Sequence, residues 1–360
     1  MTELYPLKFE PIYKNKIWGG RNLAARLKKD IPEGNIGESW EISVREDETS
    51  IIANGPFVGK PLSFLFENKS EELLGNKIKK EGRFPLLIKF LDAHQKLSVQ
   101  VHPTEEYSHH NKNASSKTEM WYILDAEPGA KIVYGIKSDV DKKDLRKAVK
   151  SGELDDHLRE VSVKPGDFYF IPGGTVHAIE EGILLAEIQQ NSDTTYRLYD
   201  WDRTDDQGRS RALHIEEAFA SMNIPQADKE SKSKRPKVDF TFISDNYTEE
   251  ILTASPYFAV EKVKLDGSYD IQPDGERFYI LMNISKKLDL EVADNSENGC
   301  VLNKGETTLI PAELNKVTVK GKGEFLKVYI PTNKDEIVNR LKNKEFSDQE
   351  ITQLPGIEYF

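Results

Sequence analysis

Cysteine is almost absent from this sequence, since Cys300 is the only one among 360 residues. An intrachain disulfide is therefore excluded, and so little cysteine is typical of proteins from a reducing compartment. The first residues, MTELYPLKFEPIYKNKIW, contain neither an apolar signal-peptide core nor a cleavage pattern. No apolar run approaches the ~18 residues of a membrane span. We therefore expect a soluble cytoplasmic protein without a membrane partner.

A basic surplus is also absent, because 61 acidic residues outweigh 50 lysines and arginines and leave a net charge of −11. General nucleic-acid-binding proteins normally carry a positive balance, so the composition argues against that class. A local basic pocket for an anion stays open. With 38% hydrophobic residues the chain can bury a core, and its length suits two domains or one β-rich unit with a satellite.

Short apolar runs bounded by Gly, Pro, Asp or Asn dominate the chain and predict β-strands. In the first half these runs cover 85–93, 96–103, 119–124, 131–136, 167–172 and 183–190. Helical patterns are fewer, and they fall on 22–29, 139–151, 155–160, 215–222, 335–344 and 347–354. The polar segment 223–238 holds two prolines and predicts an exposed linker, beyond which strand patterns resume.

A faint internal repeat links the two halves of the chain. EMWYIL at 119–124 resembles ERFYIL at 276–281, and GDFYFIPGG at 166–174 resembles GETTLIPAE at 305–313. The repeat predicts two similar β-barrels, the second of which follows the linker. The second copy has a lysine, Lys316, where the first has a histidine, and it lacks any Gln-x-His pair. Only the first barrel is therefore expected to carry chemistry.

The stretch SVQVHP at 98–103 commits one face of a predicted strand to polar groups. Side chains two residues apart point to the same side of a strand, so Gln100 and His102 share one face and two valines share the other. Glu119 begins a later strand, and His177 follows a Pro-Gly-Gly turn. These four side chains form a nitrogen–oxygen ligand set that suits zinc and also iron, manganese or nickel.

This arrangement resembles the motifs of cupins, small β-barrels that carry a metal inside. The resemblance implies a mainly β protein with two cupin-type barrels, or jelly rolls, and a few peripheral helices. A single strand histidine is more often structural, and only the combined spacing of the four residues favours a ligand role. The other histidines are expected to be solvated or structural, with two of them in a polar loop: His94, His109, His110, His157 and His214.

Four motifs taken in order resemble a narrower family, the type I mannose-6-phosphate isomerases in their shorter bacterial form. They are LSVQVHP, KTEMWYIL, GDFYFIPGGTVHAI and LAEIQQNSDTTYRLYDWDR, and IWGG and IGESWEIS near the N-terminus are similar to that family as well. The match is dense over 9–202 and thin through the second barrel. It implies an enzyme that interconverts mannose 6-phosphate and fructose 6-phosphate through a cis-enediol. It also implies one zinc ion per chain, bound by Gln100, His102, Glu119 and His177.

The resemblance further assigns residues around the metal. Arg197 matches the family's active-site arginine, and Glu187 and Lys117 match pocket residues, with Glu187 as the candidate proton shuttle. The competing reading of Glu187 is a structural partner of Arg197, and lysines are usually surface residues.

Substrate binding is assigned to Ser98, Lys89 and Trp18, although Trp18 could instead pack the N-terminal segment. Asp200 to Arg203 is expected to anchor a loop through Asp–Arg pairing. Five aromatic residues are read mostly as barrel core: Trp121, Tyr122, Phe168, Tyr169 and Phe170.

The expected organisation has four parts: 1–222 with the metal-binding barrel, the linker 223–238, a metal-free barrel over 239–332 and a helical tail over 333–360. Two other functions stay open. His102, Glu119 and His177 also form the ligand set of non-haem iron oxygenases, although Gln100 and the cationic pocket residues argue against that class. A phosphosugar-binding protein without turnover is the other alternative. A monomer or a homodimer is expected.

Overall fold

The structure, a computed structural model, describes residues 3–46, 48–78, 82–204, 207–223, 238–273, 275–293 and 298–360. In these residues the chain is mainly β, with antiparallel pairing throughout. The strands of the N-terminal half are β1 (Leu7–Glu10), β2 (Ile12–Gly20), β3 (Ile36–Ile42), β4 (Ile51–Ile52), β5 (Leu86–Ala93), β6 (Val99–Val101), β7 (Glu119–Ala126), β8 (Lys131–Ile136), β9 (Leu158–Ser162), β10 (Phe168–Ile171), β11 (His177–Ile179), β12 (Ile183–Gln190) and β13 (Tyr196–Tyr199).

The C-terminal half contributes eight further strands within the described ranges. They are β14 (Thr241–Ile243), β15 (Tyr247–Ala254), β16 (Ala259–Ile271), β17 (Tyr279–Asn283), β18 (Leu288–Val292), β19 (Cys300–Leu302), β20 (Thr307–Ile310) and β21 (Val317–Tyr329). The helices are α1 (Asn22–Leu27), α2 (Leu62–Asn68), α3 (Ser70–Leu74), α4 (Glu105–His110), α5 (Lys142–Ser151), α6 (Ile215–Ser221), α7 (Lys334–Lys342) and α8 (Asp348–Ile351).

Two sheets enclose the first barrel. One has the strand order β10-β7-β12-β5-β3-β2 and the other has the order β13-β6-β11-β8-β9. Leu91 and Trp121 of the first sheet and Ile132 and Ile179 of the second meet in one buried cluster. Apolar side chains of both sheets thus fill one end of the barrel, and polar side chains are left to line the rest of the interior.

The strand β5, LLIKFLDA, is buried along its whole length, which explains its nearly continuous apolar pattern. Leu86, Ile88 and Phe90 point away from the first barrel into a core shared with the second sheet system, where they join Phe258 and Phe278. The intervening side chains point into the first barrel, because alternate residues of a strand face opposite sides. One strand therefore serves both a structural core and a cavity.

The second barrel is built from a ten-stranded sheet in which β14-β15-β16-β21-β17-β20 continues into β1 and β4. Leu7 of β1 lies opposite Leu309 of β20, so part of the N-terminal segment completes the second barrel. The mainly β architecture with two barrels is confirmed. The four-part division of the chain stays a prediction, and residues 224–237 of the expected linker lie outside the described residues.

The predicted strands of the first half and most predicted helices are present. One helix, 155–160, was predicted wrongly: Leu154–His157 is a 3₁₀ turn, and Leu158–Ser162 is strand β9, which pairs with β8. Edge pairing there overrides a weak helical pattern. The segment with His109 and His110 is a helix capped by Thr104, whereas a polar loop was expected. No helix of the described residues is long and apolar enough to cross a membrane.

The helical tail begins as its sequence predicts. Asn333 caps α7 by accepting a hydrogen bond from the N–H of Glu336, and Ser347 and Glu350 form a capping box at the start of α8. Ile337 and Leu341 of α7 are buried against the second barrel. The tail is therefore packed on that barrel.

Candidate active site

The four predicted metal ligands come together inside the first barrel. His177 of β11 lies directly opposite Gln100 of β6, and Glu119 is the first residue of β7. His102 follows β6 immediately. Pairing of β6 with β11 brings the motifs around 100 and 177 together, and closure of the two sheets adds Glu119. His102, Glu119 and His177 are almost fully buried.

Both imidazole rings point their Nε2 atoms at Glu119. His102 Nε2 lies 3.3 Å from Glu119 Oε2, and His177 Nε2 lies 3.4 Å from Glu119 Oε1. Each Nδ1 is held by a backbone carbonyl, that of Thr194 at 3.0 Å for His102 and that of Thr175 at 2.8 Å for His177. Because a carbonyl only accepts, each Nδ1 carries the hydrogen and each Nε2 presents a lone pair.

These residues fit a bound cation. His102 Nε2 and Glu119 Oε1 are buried without a hydrogen-bond partner, which is costly unless something else satisfies them. Burial and the Lys117 ammonium lower the pKa of His102 to about 3, so its ring is neutral at pH 7. Burial opposes ionisation of Glu119, but Lys117 holds its pKa well below the ordinary value. In the described residues His102, Glu119 and His177 are the one group found able to hold a metal ion.

Gln100 and Lys117 connect these ligands to a cavity of about 310 Å³, since both line it and both contact the cluster. Gln100 Nε2 lies 3.4 Å from His177 Nε2. Lys117 Nζ lies 2.8 Å from Glu119 Oε2. The cavity wall also contains the other predicted pocket residues: Trp18, Lys89, Ser98, Glu187 and Arg197. Trp18 at the same time packs in the buried cluster of the barrel, and its role in substrate binding stays a prediction.

A chain of buried charges forms one wall of the cavity. Lys89 Nζ lies 2.9 Å from Glu187 Oε1 and 3.9 Å from Glu38 Oε2. Burial disfavours the Lys89 ammonium, yet these two carboxylates raise its pKa above the ordinary value. Trp121 Nε1 donates to Glu187 Oε2 over 3.3 Å, and Trp40 Nε1 donates to Glu38 over 2.6 Å. Lys89 is thus the ion-pair partner of Glu187. The structural interpretation of Glu187 from the sequence expects Arg197 as that partner.

Arginines form the opposite wall. Arg197 of β13 lies opposite Gln100, and its side chain donates to Ser98 Oγ over 3.2 Å and to the carbonyl of Ala212 over 2.9 Å. Burial lowers the pKa of Arg197, and the nearby charge of Arg211 adds to that effect. Two neighbouring guanidinium groups therefore face the same cavity.

A loop after β13 holds the second arginine in place. Arg211 Nε donates to Asp200 Oδ2 over 2.8 Å, and Arg203 donates to Asp200 Oδ1 over 2.7 Å. Trp201 Nε1 ties the same loop to the carbonyl of Leu97 over 2.7 Å. The expected Asp–Arg anchor is present, and it also positions Arg211, which sequence reasoning did not single out.

The sequence patterns do not predict several residues that line the cavity. Glu38 and Trp40 lie two residues apart in IGESWEIS, and this alternation on one strand face was the available signal. Trp121 was read as barrel core, and although it is buried there, its ring nitrogen binds Glu187. No sequence signal marked Arg211, because its place in the cavity depends on a loop that folds back through Asp200.

Two family models match the chain: "Phosphomannose isomerase type I, catalytic domain" over residues 6–132 and "Mannose-6-phosphate isomerase, cupin domain" over 248–330. Mannose-6-phosphate isomerase ManA of Bacillus subtilis is 39% identical over 323 residues, which are 89% of this chain and 98% of the relative. Mannose-6-phosphate isomerase of Streptococcus mutans is 40% identical over 280 residues, 78% of this chain and 84% of the relative. The crystal structure of the mannose 6-phosphate isomerase from Bacillus subtilis has a TM-score of 0.81 at 36% identity and covers 90% of this chain and 99% of its own.

Proposed function

This chain belongs to the type I phosphomannose isomerase family, and we propose that the cavity of its first barrel is where it interconverts mannose 6-phosphate and fructose 6-phosphate. The matching models, the relatives and the shared architecture make it an aldose–ketose isomerase with cupin-type barrels. This location is supported by one observation: Gln100 and Lys117 connect the buried His–Glu–His cluster to a cavity lined by charged side chains.

The metal proposed for this site is one zinc ion per chain, held by His102, Glu119 and His177 with Gln100 beside them. Two neutral imidazoles and a carboxylate suit zinc. The cluster contains no thiolate, a ligand that would narrow the choice of metal ion further. When bound, such an ion supplies Lewis acidity that polarises substrate oxygens and offsets their negative charge.

Arg197 and Arg211 are the proposed binding groups for the phosphate. Burial, with the nearby charge of Arg211 as a smaller cause, lowers the pKa of Arg197, and a dianion between the two guanidinium groups offsets both charges. Guanidinium groups bind phosphate oxygens in pairs of parallel hydrogen bonds. Ser98 and Asp200 keep the two arginines oriented before the substrate arrives.

Proton transfer between C1 and C2 is assigned to Glu187. Its carboxylate accepts the proton from one carbon and returns it to the other, which the isomerisation requires. Lys89 and Trp121 hold its two oxygens in fixed positions, so the carboxylate needs little reorganisation during the reaction. Lys117, whose ammonium lies beside Glu119, stabilises a substrate oxygen as it gains negative charge in the enediol.

The oxygenase alternative is not favoured by the family match or by the cationic cavity. The direct test is formation of fructose 6-phosphate from mannose 6-phosphate by zinc-loaded protein in a coupled assay. Unphosphorylated mannose is the matched control and should react far more slowly, since it leaves Arg197 and Arg211 without an anion. Absence of fructose 6-phosphate, or equal rates on the two sugars, would contradict the proposal.

A further inference from the structure

The second barrel repeats the strand order of the catalytic barrel. The sheet order β10-β7-β12-β5-β3-β2 of the first barrel corresponds to β20-β17-β21-β16-β15-β14 of the second, and every neighbouring pair is antiparallel in both. The strands also occur in the same order along the chain. The catalytic strands β3, β5 and β12 therefore have counterparts in β15, β16 and β21.

The register of these strands places charged residues at corresponding positions. In the first barrel Glu187 of β12 lies opposite Lys89 of β5. In the second barrel Lys327 of β21 lies opposite Glu261 of β16. The pair is thus present in both barrels, with lysine and glutamate exchanged between the two strands.

A third charged position completes each set. Lys89 is opposite Trp40 of β3, and Glu38 lies two residues before that tryptophan. Glu261 is opposite Ile251 of β15, and Glu249 lies two residues before that isoleucine. Each barrel therefore carries two glutamates and one lysine on three neighbouring strands.

In the second barrel the charged set is tightly closed. Lys327 Nζ lies 2.6 Å from Glu261 Oε2 and 2.7 Å from Glu249 Oε1. Tyr329 donates to Glu261 over 2.7 Å, and the hydroxyl of Tyr269 donates to Glu249. All five side chains are buried. In the first barrel, by contrast, the corresponding residues line an open cavity.

A side chain from the C-terminal tail completes the closed set. Arg340 of α7 places Nη1 2.5 Å from Glu261 Oε1 and Nη2 2.5 Å from Glu249 Oε2, so one guanidinium bridges both carboxylates. Burial opposes ionisation of Glu261, yet Lys327 and Arg340 together hold its pKa below the ordinary value. With Arg340 present, two carboxylates, one ammonium and one guanidinium sum to zero charge. Without it, the two ionised carboxylates face the single positive charge of Lys327.

Independent contacts hold this helix and the rest of the C-terminal tail against the barrel. Arg277 donates to Glu336 of α7 over 2.6 Å, and the backbone N–H of Ala254 donates to the carbonyl of Pro355 over 3.0 Å. Ile337 and Leu341 are fully buried on either side of Arg340. The helix can therefore stay docked when the guanidinium alone is removed.

We propose that the second barrel contains a guanidinium-binding site, formed by Glu249, Glu261, Lys327, Tyr269 and Tyr329, and that Arg340 is its built-in ligand. The site occupies the place that the substrate cavity has in the first barrel. The C-terminal tail thus supplies a tethered ligand that fills the site in the second barrel. A free guanidinium ion is the ligand that can take the place of the Arg340 side chain. This inference is independent of the isomerase reaction.

The test is chemical rescue of the full-length Arg340→Ala protein. We expect its melting temperature to fall by roughly 10 °C, since a buried charge loses its partner. Guanidinium chloride at about 1 to 20 mM should restore most of this loss, with a weak affinity because the ion has only four non-hydrogen atoms. Sodium chloride at equal concentration should not. Guanidinium destabilises ordinary proteins, so a stabilising effect is diagnostic of a site.

The matched control is Arg146→Ala, which removes an arginine of α5 that forms a two-bond pair, at 2.6 Å and 2.9 Å, with the exposed Glu216 of α6. This variant should show no stabilisation by guanidinium. If Arg340→Ala does not fold, refolding with millimolar guanidinium should recover it, and Arg340→Lys should fold without responding to the ion. A folded Arg340→Ala protein that guanidinium does not stabilise, or rescue equalled by sodium chloride, would overturn the proposal.

Discussion

Replacement of Glu187 by glutamine distinguishes between a proton-transferring and a purely structural role of this carboxylate. The glutamine has nearly the same shape and keeps an oxygen that can accept from Trp121, now 3.3 Å away. Lys89 loses its 2.9 Å partner but retains Glu38 at 3.9 Å. The fold should therefore persist, while the group that moves the proton is gone.

The expected loss follows from the role assigned to Glu187. A positioned general base contributes about 10² to 10⁴ in rate, which corresponds to about 3 to 5 kcal/mol of activation free energy. We expect kcat to fall by that factor with little change in KM, because Arg197 and Arg211 still hold the phosphate. Such a split indicates an interaction made in the transition state.

The assay follows fructose 6-phosphate formation together with removal of deuterium from C2 of labelled mannose 6-phosphate. Both rates should fall by the same factor in Glu187→Gln. Glu180→Gln is the matched control, since Glu180 is also buried in the first barrel, pairs with Lys96 at 3.2 Å and lies outside the cavity wall. Its kcat should stay within about twofold of the parent. A Glu187→Gln enzyme with near-parental turnover would show that Glu187 only supports Lys89.

Three further predictions address the metal, the phosphate and the buried charges. His177→Ala should lose bound zinc and turnover together, and retained zinc with full activity would reject its ligand role. Arg197→Ala should collapse kcat/KM for mannose 6-phosphate by at least about 10²-fold; near-normal turnover would show that the arginine has another role. The pKa of Glu38 falls from 4.5 to about 2, because Lys89 and Lys16 outweigh the opposing effect of burial. A carboxylate whose pKa is lower in the folded than in the unfolded state stabilises the fold above the unfolded-state pKa and loses that effect as pH falls. The free energy of unfolding of Glu38→Gln at pH 7 should therefore be lower by up to about 3 kcal/mol. Its dependence on pH between about 4.5 and 2 should also be flatter than that of the parent. An unchanged pH slope in urea unfolding would contradict this account of Glu38.

Short-range patterns were enough to single out the residues of the candidate metal site. Gln100 and His102 share a strand face because of the two-residue period, and the Pro-Gly-Gly turn before His177 fixes where the next strand begins. Both are local properties of the chain. The same period applied to IGESWEIS would have placed Glu38 beside Trp40.

Partners across strands could not be obtained in this way. Lys89 and Glu187 meet because β5 and β12 pair in one particular register, and a shift of one residue would send both side chains to the opposite face. Arg211 reaches the cavity through a loop folded back on Asp200. Arg340 reaches the second barrel from a helix, 79 residues beyond Glu261 and 91 residues beyond Glu249. Such contacts depend on tertiary packing, which residue spacing alone does not encode.

Metal titration of chelator-treated protein tests the central claim most directly. Metal-free protein should show negligible conversion of mannose 6-phosphate, and stepwise addition of zinc should restore fructose 6-phosphate formation in proportion to bound metal until one ion per chain is reached. Full turnover by the metal-free protein, or bound zinc without any fructose 6-phosphate, would contradict the assignment of His102, Glu119 and His177 as the metal centre of an isomerase.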